Sequence, residues 1–391
     1  MDRPTLRLNP GQGRRLRAGS PWVFSNEITM LPEYRQMPPG TLVRLETDNG
    51  GPLGTFMFNP HSLIAARLLD RDPAAVIDLD WLHTRLSDAI ALRQRVCDTA
   101  HHRLVHAEAD RLPGLVIDRY GDVAVLQANT AGMDRLTPLI VEALTALLSL
   151  RAVVARNDSG ARRQEGLAET VSLLCGTDAG AEVVEGGVRF PIDPLSGQKT
   201  GWYFDQRPNR DRVAALANGA RVLDVFSHVG AFGLRCAAAG AREVILLDSS
   251  APALAQAEQA AALNGLADAV RIRRDDAFDA MTALAGDLFD IVVCDPPAFA
   301  RTRKDAEAGL RAYGRMARLA APLVAPGGFL FVASCSHHAP LEAWSAQIAL
   351  GLHRARREGR ILFTGGAGPD HPVHPHLPES AYLKVQLIQL L

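Results

Sequence analysis

Cys335 ends an apolar run, Phe331-Val332-Ala333-Ser334-Cys335-Ser336, and is flanked by two serines. A second run ends in Asp290-Ile291-Val292-Val293-Cys294-Asp295-Pro296-Pro297. The prolines Pro296 and Pro297 fix the backbone and remove two N–H donors, so carbonyls and the Asp295 carboxylate are left to face a planar substrate. Asp/Asn-Pro-Pro followed by an aromatic serves methyl transfer to base nitrogens, so the motif alone does not identify the atom modified. The cysteine decides more. Cytosine C5 is too weak a nucleophile to take a methyl group directly. A thiolate adding at C6 makes C5 enamine-like, and loss of the C5 proton then releases the thiol. Such chemistry needs a cysteine with a lowered pKa. Asp295 suits the N3/N4 edge of the base, and Phe299 either stacks on it or packs under the loop. An inert buried thiol is the plainer fate of a free cysteine. Cys294, one residue inside its strand, should face away from Asp295 into the core, and Cys236 reads the same way. His337 and His338 would help activate Cys335 if one were protonated, although histidines after a strand are commonly just exposed.

A donor for that chemistry is legible upstream. Leu223-Asp224-Val225-Phe226-Ser227-His228-Val229-Gly230-Ala231-Phe232-Gly233 reads as a strand, a glycine turn and a helix start, and glycine lets a backbone approach a ligand closely. A dinucleotide loop would want G-x-G-x-x-G, but His228 stands where the first glycine would be. Asp224 suits a ligand amino group, with Phe226, Gly230 and Phe232 in the same turn. Asp248 ends the next strand, where an acid binds a ribose diol. After the third strand comes Asp275-Asp276-Ala277-Phe278, in which Asp276 could accept from an adenine amine and Phe278 could contact the ring. Singly, each acid is more often a cap or a surface charge. At successive strand ends they point to an adenosine-containing cofactor, in the order found in class I S-adenosylmethionine methyltransferases.

The elements that must position these residues form an α/β pattern. Strands are expected at 221–226, 243–248, 270–274, 290–295, 328–334, 360–363 and 382–389, with an alanine-rich helix over Ala251 to Asn264: a doubly wound sheet. Ligands in such sheets sit beyond the carboxyl ends of the strands. If the last strand runs antiparallel, Asp370 to Ser380 overhangs that edge and could gate the substrate. His371, His374 and His376 in that stretch match no standard metal spacing, so no metal is expected. Residues 1–75 read as a small β domain with strands Thr41 to Thr47, Leu53 to Phe58 and Ser62 to Leu69, a turn at Asp48-Asn49-Gly50-Gly51, and Trp22, Val23 and Phe24 in the core. Residues 76–190 read as a central α+β domain. A helix over Asp78 to Val96, capped by Asp78 or Asp80, leads into a hairpin (Leu115 to Asp118, Val123 to Asn129). A helix over 133–149 and strands at Ala152 to Arg156, Glu182 to Glu185 and Arg189 to Ile192 follow. Residues 191–391 form the third domain.

The 391 residues carry 47% apolar residues and a formal net charge of −1, so no global field announces nucleic acid. The N-terminus is locally basic: Arg3, Arg7, Arg14, Arg15 and Arg17 make either an RNA-contacting patch or a solvated face. The 5 cysteines are scattered without a C-x-x-C, which argues against a disulfide framework or a zinc site and suits a reducing cytosol. With no uninterrupted apolar run long enough to span a bilayer, a soluble, cytoplasmic protein is expected.

The chain resembles bacterial 23S ribosomal RNA cytosine-C5 methyltransferases of the ribosomal RNA large subunit methyltransferase I type. Besides the motifs above, the likeness is carried by Gly13-Arg14-Arg15 to Pro21-Trp22-Val23-Phe24-Ser25, by Leu112-Pro113-Gly114-Leu115-Val116-Ile117-Asp118-Arg119-Tyr120-Gly121 and by Lys199-Thr200-Gly201-Trp202-Tyr203-Phe204-Asp205-Gln206-Arg207. His371-Pro372-Val373 and Tyr382-Leu383-Lys384 extend it to the end of the chain. The resemblance implies an RNA-binding PUA domain of β-barrel type, a central α+β domain and a class I methyltransferase domain. It also implies S-adenosylmethionine as donor, Cys335 as nucleophile, and Asp205 and Gln206 lining the donor pocket; by sequence alone those two could equally cap the next helix. The partner implied is large-subunit ribosomal RNA, with Arg14, Arg15 and Arg17 as contacts; a second copy of the chain is left open and no membrane is involved. The chain departs from the pattern at Ala298, His337 and Val229, where relatives usually carry Lys, Gly, and Thr or Gly. Two other functions remain open: a guanine or adenine nitrogen methyltransferase with a structural Cys335, and a non-catalytic RNA-binding assembly factor.

Overall fold

The computed structural model describes residues 3–197 and 201–391, so Lys199 and Thr200 of the quoted segment lie outside the described residues. The chain gathers into two compact units. One comprises Met1–Val183, Ile192–Phe204 and Pro369–Ser380; the other comprises Val184–Pro191, Asp205–Gly368 and Ala381–Leu391.

The first unit holds two sheets. In the N-terminal one the strand order is Thr5–Arg7, Thr41–Glu46, Pro52–Phe58, Ala66–Asp70, Trp22–Val23. Alternating apolar residues of its strands, among them Leu6, Val43, Leu45, Phe56 and Phe58, form the core. The expected strand from Ser62 begins only at Ala66. Before it, side chains replace the ladder: Asn59 Oδ1 accepts from the His61 N–H at 3.0 Å and Ser62 Oγ donates to the buried Glu165 carboxylate at 2.9 Å. Val23 is buried, while Trp22 is partly exposed and its indole N–H donates to Glu108 at 2.7 Å.

The second sheet runs Thr170–Cys175, Ala152–Asn157, Val123–Ala128, Leu115–Tyr120, His101–His106, and its core includes residues of the helices Leu79–Val96 and Ala131–Leu147. Asp78 provides the expected cap, accepting from the Trp81 N–H at 3.0 Å. The two edge strands of this sheet, His101–His106 and Thr170–Cys175, escaped the sequence reading. His101-His102-Arg103 is polar, and Arg103 is accommodated by a two-pronged bond to buried Asp118 at 2.6 and 3.1 Å.

In the second unit a 7-stranded sheet is built from β1 (Arg221–Val225), β2 (Glu243–Asp248), β3 (Val270–Arg274), β4 (Phe289–Cys294), β5 (Val324–Ser334), β6 (Gly359–Gly365) and β7 (Lys384–Leu390). The order is β3-β2-β1-β4-β5-β7-β6, with β7 antiparallel to both neighbours. Helices α1 (Ala231–Ala238), α2 (Ala251–Leu263), α3 (Ala277–Ala283), α4 (Ala306–Ala320) and α5 (Leu341–Arg354) connect or follow the strands. The apolar runs of β1, β4 and β5 are buried in one core with Tyr313, Met316 and Trp344. Strand order turns back at β1 and β4, so the crevice between their carboxyl ends is the place where a ligand belongs. β7 starts at Lys384 opposite Ser334, so the connection from β6 also leaves from the carboxyl edge. Within that connection, Pro369–Ser380 belongs to the first unit, where the Asp370 carbonyl accepts from Arg93 at 2.9 Å and its carboxylate accepts from the Arg103 N–H at 3.1 Å.

Candidate active site

The turn after β1 is built for close approach. Phe226, His228 and Gly230 all have positive φ (63°, 51° and 75°), which is sterically easy only for the glycine. Two carboxylates brace this turn and the helix start that follows it. Asp248, at the end of β2, accepts from the His228 N–H at 2.8 Å through one oxygen and from the Ser250 N–H at 2.8 Å through the other. Asp224, only 1% exposed, accepts from the Gly233 N–H at 2.9 Å in the first turn of α1. A Cβ at Gly233 would come within 2.2 Å of Leu246 and 2.8 Å of Val244, so this glycine permits the close seat of α1 on β2. Burial pushes the Asp224 carboxyl up to about 8; the Gly233 N–H opposes this, and the charges of Asp295 and Asp248 add to it.

Asp205 and Gln206 immediately precede the helix Arg207–Ala214. That helix is anchored by buried Glu185, which takes Arg210 at 2.5 Å and Arg235 of α1 at 3.2 Å. Burial alone would raise the Glu185 carboxyl, but Arg210, with Arg207 and Arg235, holds it below its ordinary value. Gln206 accepts from Asn209 at 2.8 Å. Asp205 is 7% exposed; one oxygen accepts from the Tyr382 hydroxyl at 2.6 Å and the other, Oδ1, has no hydrogen-bond partner among the described residues. Ser227 Oγ, in the β1 turn, is likewise buried without a partner among the described residues. Buried polar atoms are rarely left so.

Asp276 caps α3, accepting from the Phe278 and Asp279 N–H groups at 2.9 and 3.1 Å through a single oxygen. Phe278 joins an aromatic group with Phe226 (6.3 Å between centroids) and Phe299 (6.0 Å). Phe232 is buried against Phe331 at 5.0 Å.

The register of β4 on β5 pairs Cys294 with Val332, so Asp295 and Cys335 leave neighbouring strand ends. Pro296 is buried and Pro297 exposed. Phe299 packs beneath the loop on Tyr313, 4.8 Å away. Ser336 ties this loop to the cysteine turn, since its Oγ accepts from the Ala300 N–H at 3.1 Å and lies 2.8 Å from the Tyr313 hydroxyl. Ser334 and Ser336 are fully buried, whereas Cys335 between them is partly exposed. Cys294 and Cys236 are buried, and burial pushes both thiols well above the ordinary cysteine value, so they are inert. The ring of His337 lies 5.5 Å from that of Tyr382.

Sequence reasoning gave no role to Lys384. It is 8% exposed, and its Nζ donates at 2.7 Å to the carbonyls of both Ser336 and Tyr382. The available signal was a lysine opening a largely apolar strand, Lys384-Val385-Gln386-Leu387-Ile388. Of the N-terminal arginines, Arg17 donates to the Gln12 carbonyl at 3.0 Å, Arg15 lies 3.9 Å from Glu379 and 5.2 Å from the Phe24 ring, and Arg14 is exposed.

Residues 6–71 match the PUA-like domain family, and residues 156–354 match the S-adenosylmethionine-dependent methyltransferase family. Ribosomal RNA large subunit methyltransferase I of Shewanella denitrificans is 34% identical, with 97% of each chain covered. A ribosomal RNA large subunit methyltransferase of Deinococcus radiodurans is 35% identical over 99% of this chain and 98% of its own. Among solved structures, SMU.776 in complex with SAH superposes with a TM-score of 0.82 at 20% identity, covering 99% of this chain and 100% of that one. No helix among the described residues is long and apolar enough to cross a membrane. Built on the sheet order, the β1 turn and these likenesses, the assignment is that the chain belongs to the S-adenosylmethionine-dependent methyltransferases, in the family of ribosomal RNA large subunit methyltransferase I.

Proposed function

We propose that this protein methylates C5 of a cytosine in large-subunit ribosomal RNA through a covalent bond between Cys335 and C6 of the base. The observation that carries the reading is the partly exposed Cys335, held between two buried serines on the strand next to Asp295-Pro296-Pro297. S-adenosylmethionine, when bound, supplies an electrophilic methyl group. The residues of the β1 turn fit it. Asp224, the unpartnered Asp205 Oδ1 and Ser227 Oγ offer polar atoms to its amino-acid end. Asp248 would hold the ribose, and the second oxygen of Asp276 with Phe278 would meet the adenine. Gly230 lets the turn sit close on Leu246 and Ala257, Phe226 would bound the donor pocket, and Phe232 and Gln206 would support it from behind.

The Cys335 thiolate adds to C6 and C5 gains nucleophilic character; C5 takes the methyl, a base removes the C5 proton, and the C6–S bond breaks to restore the thiolate. Asp295 holds the N3/N4 edge over the proline platform, with Phe299 packed beneath. The first 75 residues, with Arg14, Arg15 and Arg17, position the RNA through its phosphates and carry no sequence information themselves. The test is RNA containing 5-fluorocytidine at the target. Fluorine at C5 cannot leave as a cation, so a stable protein–RNA adduct at Cys335 is expected in the presence of donor. Turnover without an adduct, and a methyl group mapped to a purine nitrogen, would give the function to nitrogen methylation instead.

The raised Asp224 carboxyl makes a second expectation. A cationic donor beside it favours the carboxylate, so its pKa falls on binding and a proton is released. Donor affinity should therefore rise with pH up to about 8 and level off above it. Calorimetry in buffers of different ionisation enthalpy at pH 7 should read net proton release, and Asp224→Asn should remove that release.

A further inference from the structure

We propose that Lys384 is the positioning residue that makes Cys335 a thiolate: its ammonium group, buried at the mouth of β7, holds the cysteine turn and supplies the local positive charge. The inference rests on the reading of Cys335 as nucleophile and deepens it.

The geometry begins with the register. Lys384 lies directly opposite Ser334 across the β5–β7 ladder, so its side chain emerges beside the turn that carries Cys335. An ammonium group has three N–H donors. Two are committed at 2.7 Å to the carbonyls of Ser336 and Tyr382, and the third has no partner among the described residues. A lysine that is 8% exposed with an unused donor is costly unless an anion completes its shell. Burial lowers the Lys384 pKa, and the charge of Cys335 acts to raise it again, as expected of a cation and a thiolate that stabilise each other.

The described groups of α4, β4 and the Tyr382 segment have other roles. Tyr313 of α4 is a neutral phenol whose hydroxyl is bound up with Ser336 Oγ, and burial raises its pKa further. Asp295, at the end of β4, is an acid and opposes a thiolate. Tyr382 gives its hydroxyl to Asp205, and His337 lies against the Tyr382 ring. A thiolate at this acid-lined edge is favoured by a nearby cation, and among the described residues Lys384 is held where it can be one.

The test reads the thiol directly. Alkylation of Cys335 by iodoacetamide is followed against pH by peptide mass spectrometry on the full chain, with the partly exposed Cys97 and Cys175 as internal references. The wild-type midpoint should lie at least one pH unit below the ordinary thiol value of about 8.5. Lys384→Met should raise it by about one unit or more, Lys384→Arg should largely restore it, and the reference cysteines should not move. A wild-type midpoint at or above the ordinary value overturns the proposal without any variant, which covers the case in which Lys384→Met does not fold. An unchanged midpoint in a folded Lys384→Met overturns it as well. Failure here leaves the adduct with 5-fluorocytidine RNA intact, whereas failure of the cytosine-C5 reading removes the adduct and leaves the thiol midpoint where it is.

Discussion

Cys335→Ala should abolish methyl transfer and leave donor binding unchanged. Removing the nucleophile from a covalent mechanism costs more than weakening any single contact, because no other group can make C5 reactive. A loss of ~10⁴-fold or more is the scale for such a deletion. The substitution is structurally mild. Cys335 is partly exposed, and the turn is held by its neighbours: Ser336 Oγ accepts from the Ala300 N–H and the Ser336 carbonyl accepts from Lys384. The β1 turn takes none of its described hydrogen bonds from Cys335, so calorimetric donor affinity should equal that of wild type. Cys294→Ala is the matched control: a buried thiol lost at some packing cost, with activity retained. Substantial methyl transfer by Cys335→Ala would end the cytosine-C5 reading and leave an enzyme whose Asp-Pro-Pro platform methylates a ring or exocyclic nitrogen.

Asp248→Ala should weaken donor binding by about ten- to a hundredfold, since charge-assisted hydrogen bonds to a ribose diol are each worth about 1.5–3 kcal/mol. The structure gives this carboxylate a second duty. It accepts from the His228 N–H in a turn where Phe226 and His228 both hold left-handed backbone, so its removal should also loosen that turn. Asp248→Asn retains one acceptor oxygen and should lose less. Neither variant should alter the alkylation profile of Cys335. Wild-type donor affinity in a folded Asp248→Ala would take this residue out of the donor site.

The elements around the site were legible because their signals are local. The inner strands of the large sheet are apolar runs, and its edge strand β3 still alternates apolar and charged residues in Val270-Arg271-Ile272-Arg273; for β2 and β3 the expected and observed bounds coincide, and for β1 and β4 they differ by a residue. The edge strands His101–His106 and Thr170–Cys175 were not legible: edge positions tolerate polar residues, and the burial of Arg103 depends on Asp118, which arrives from the next strand. Strand Ala66–Asp70 began later than expected because Ser62 answers to Glu165, far along the chain.

The residues of the site divide the same way. The order of motifs in the sequence determined the doubly wound sheet, the acids at successive strand ends, and a cysteine and an Asp-Pro-Pro at neighbouring ones, because each is written in a strand and the turn that follows it. Only the tertiary structure decided what each side chain meets. It made Asp276 a cap, set Phe299 against Tyr313, left Asp205 Oδ1 and Ser227 Oγ buried without partners among the described residues, and brought Lys384 to the cysteine turn. Those outcomes depend on pairings between distant segments, above all the antiparallel return of β7 alongside β5, and hydrogen-bond partners and burial exist only once that register has formed.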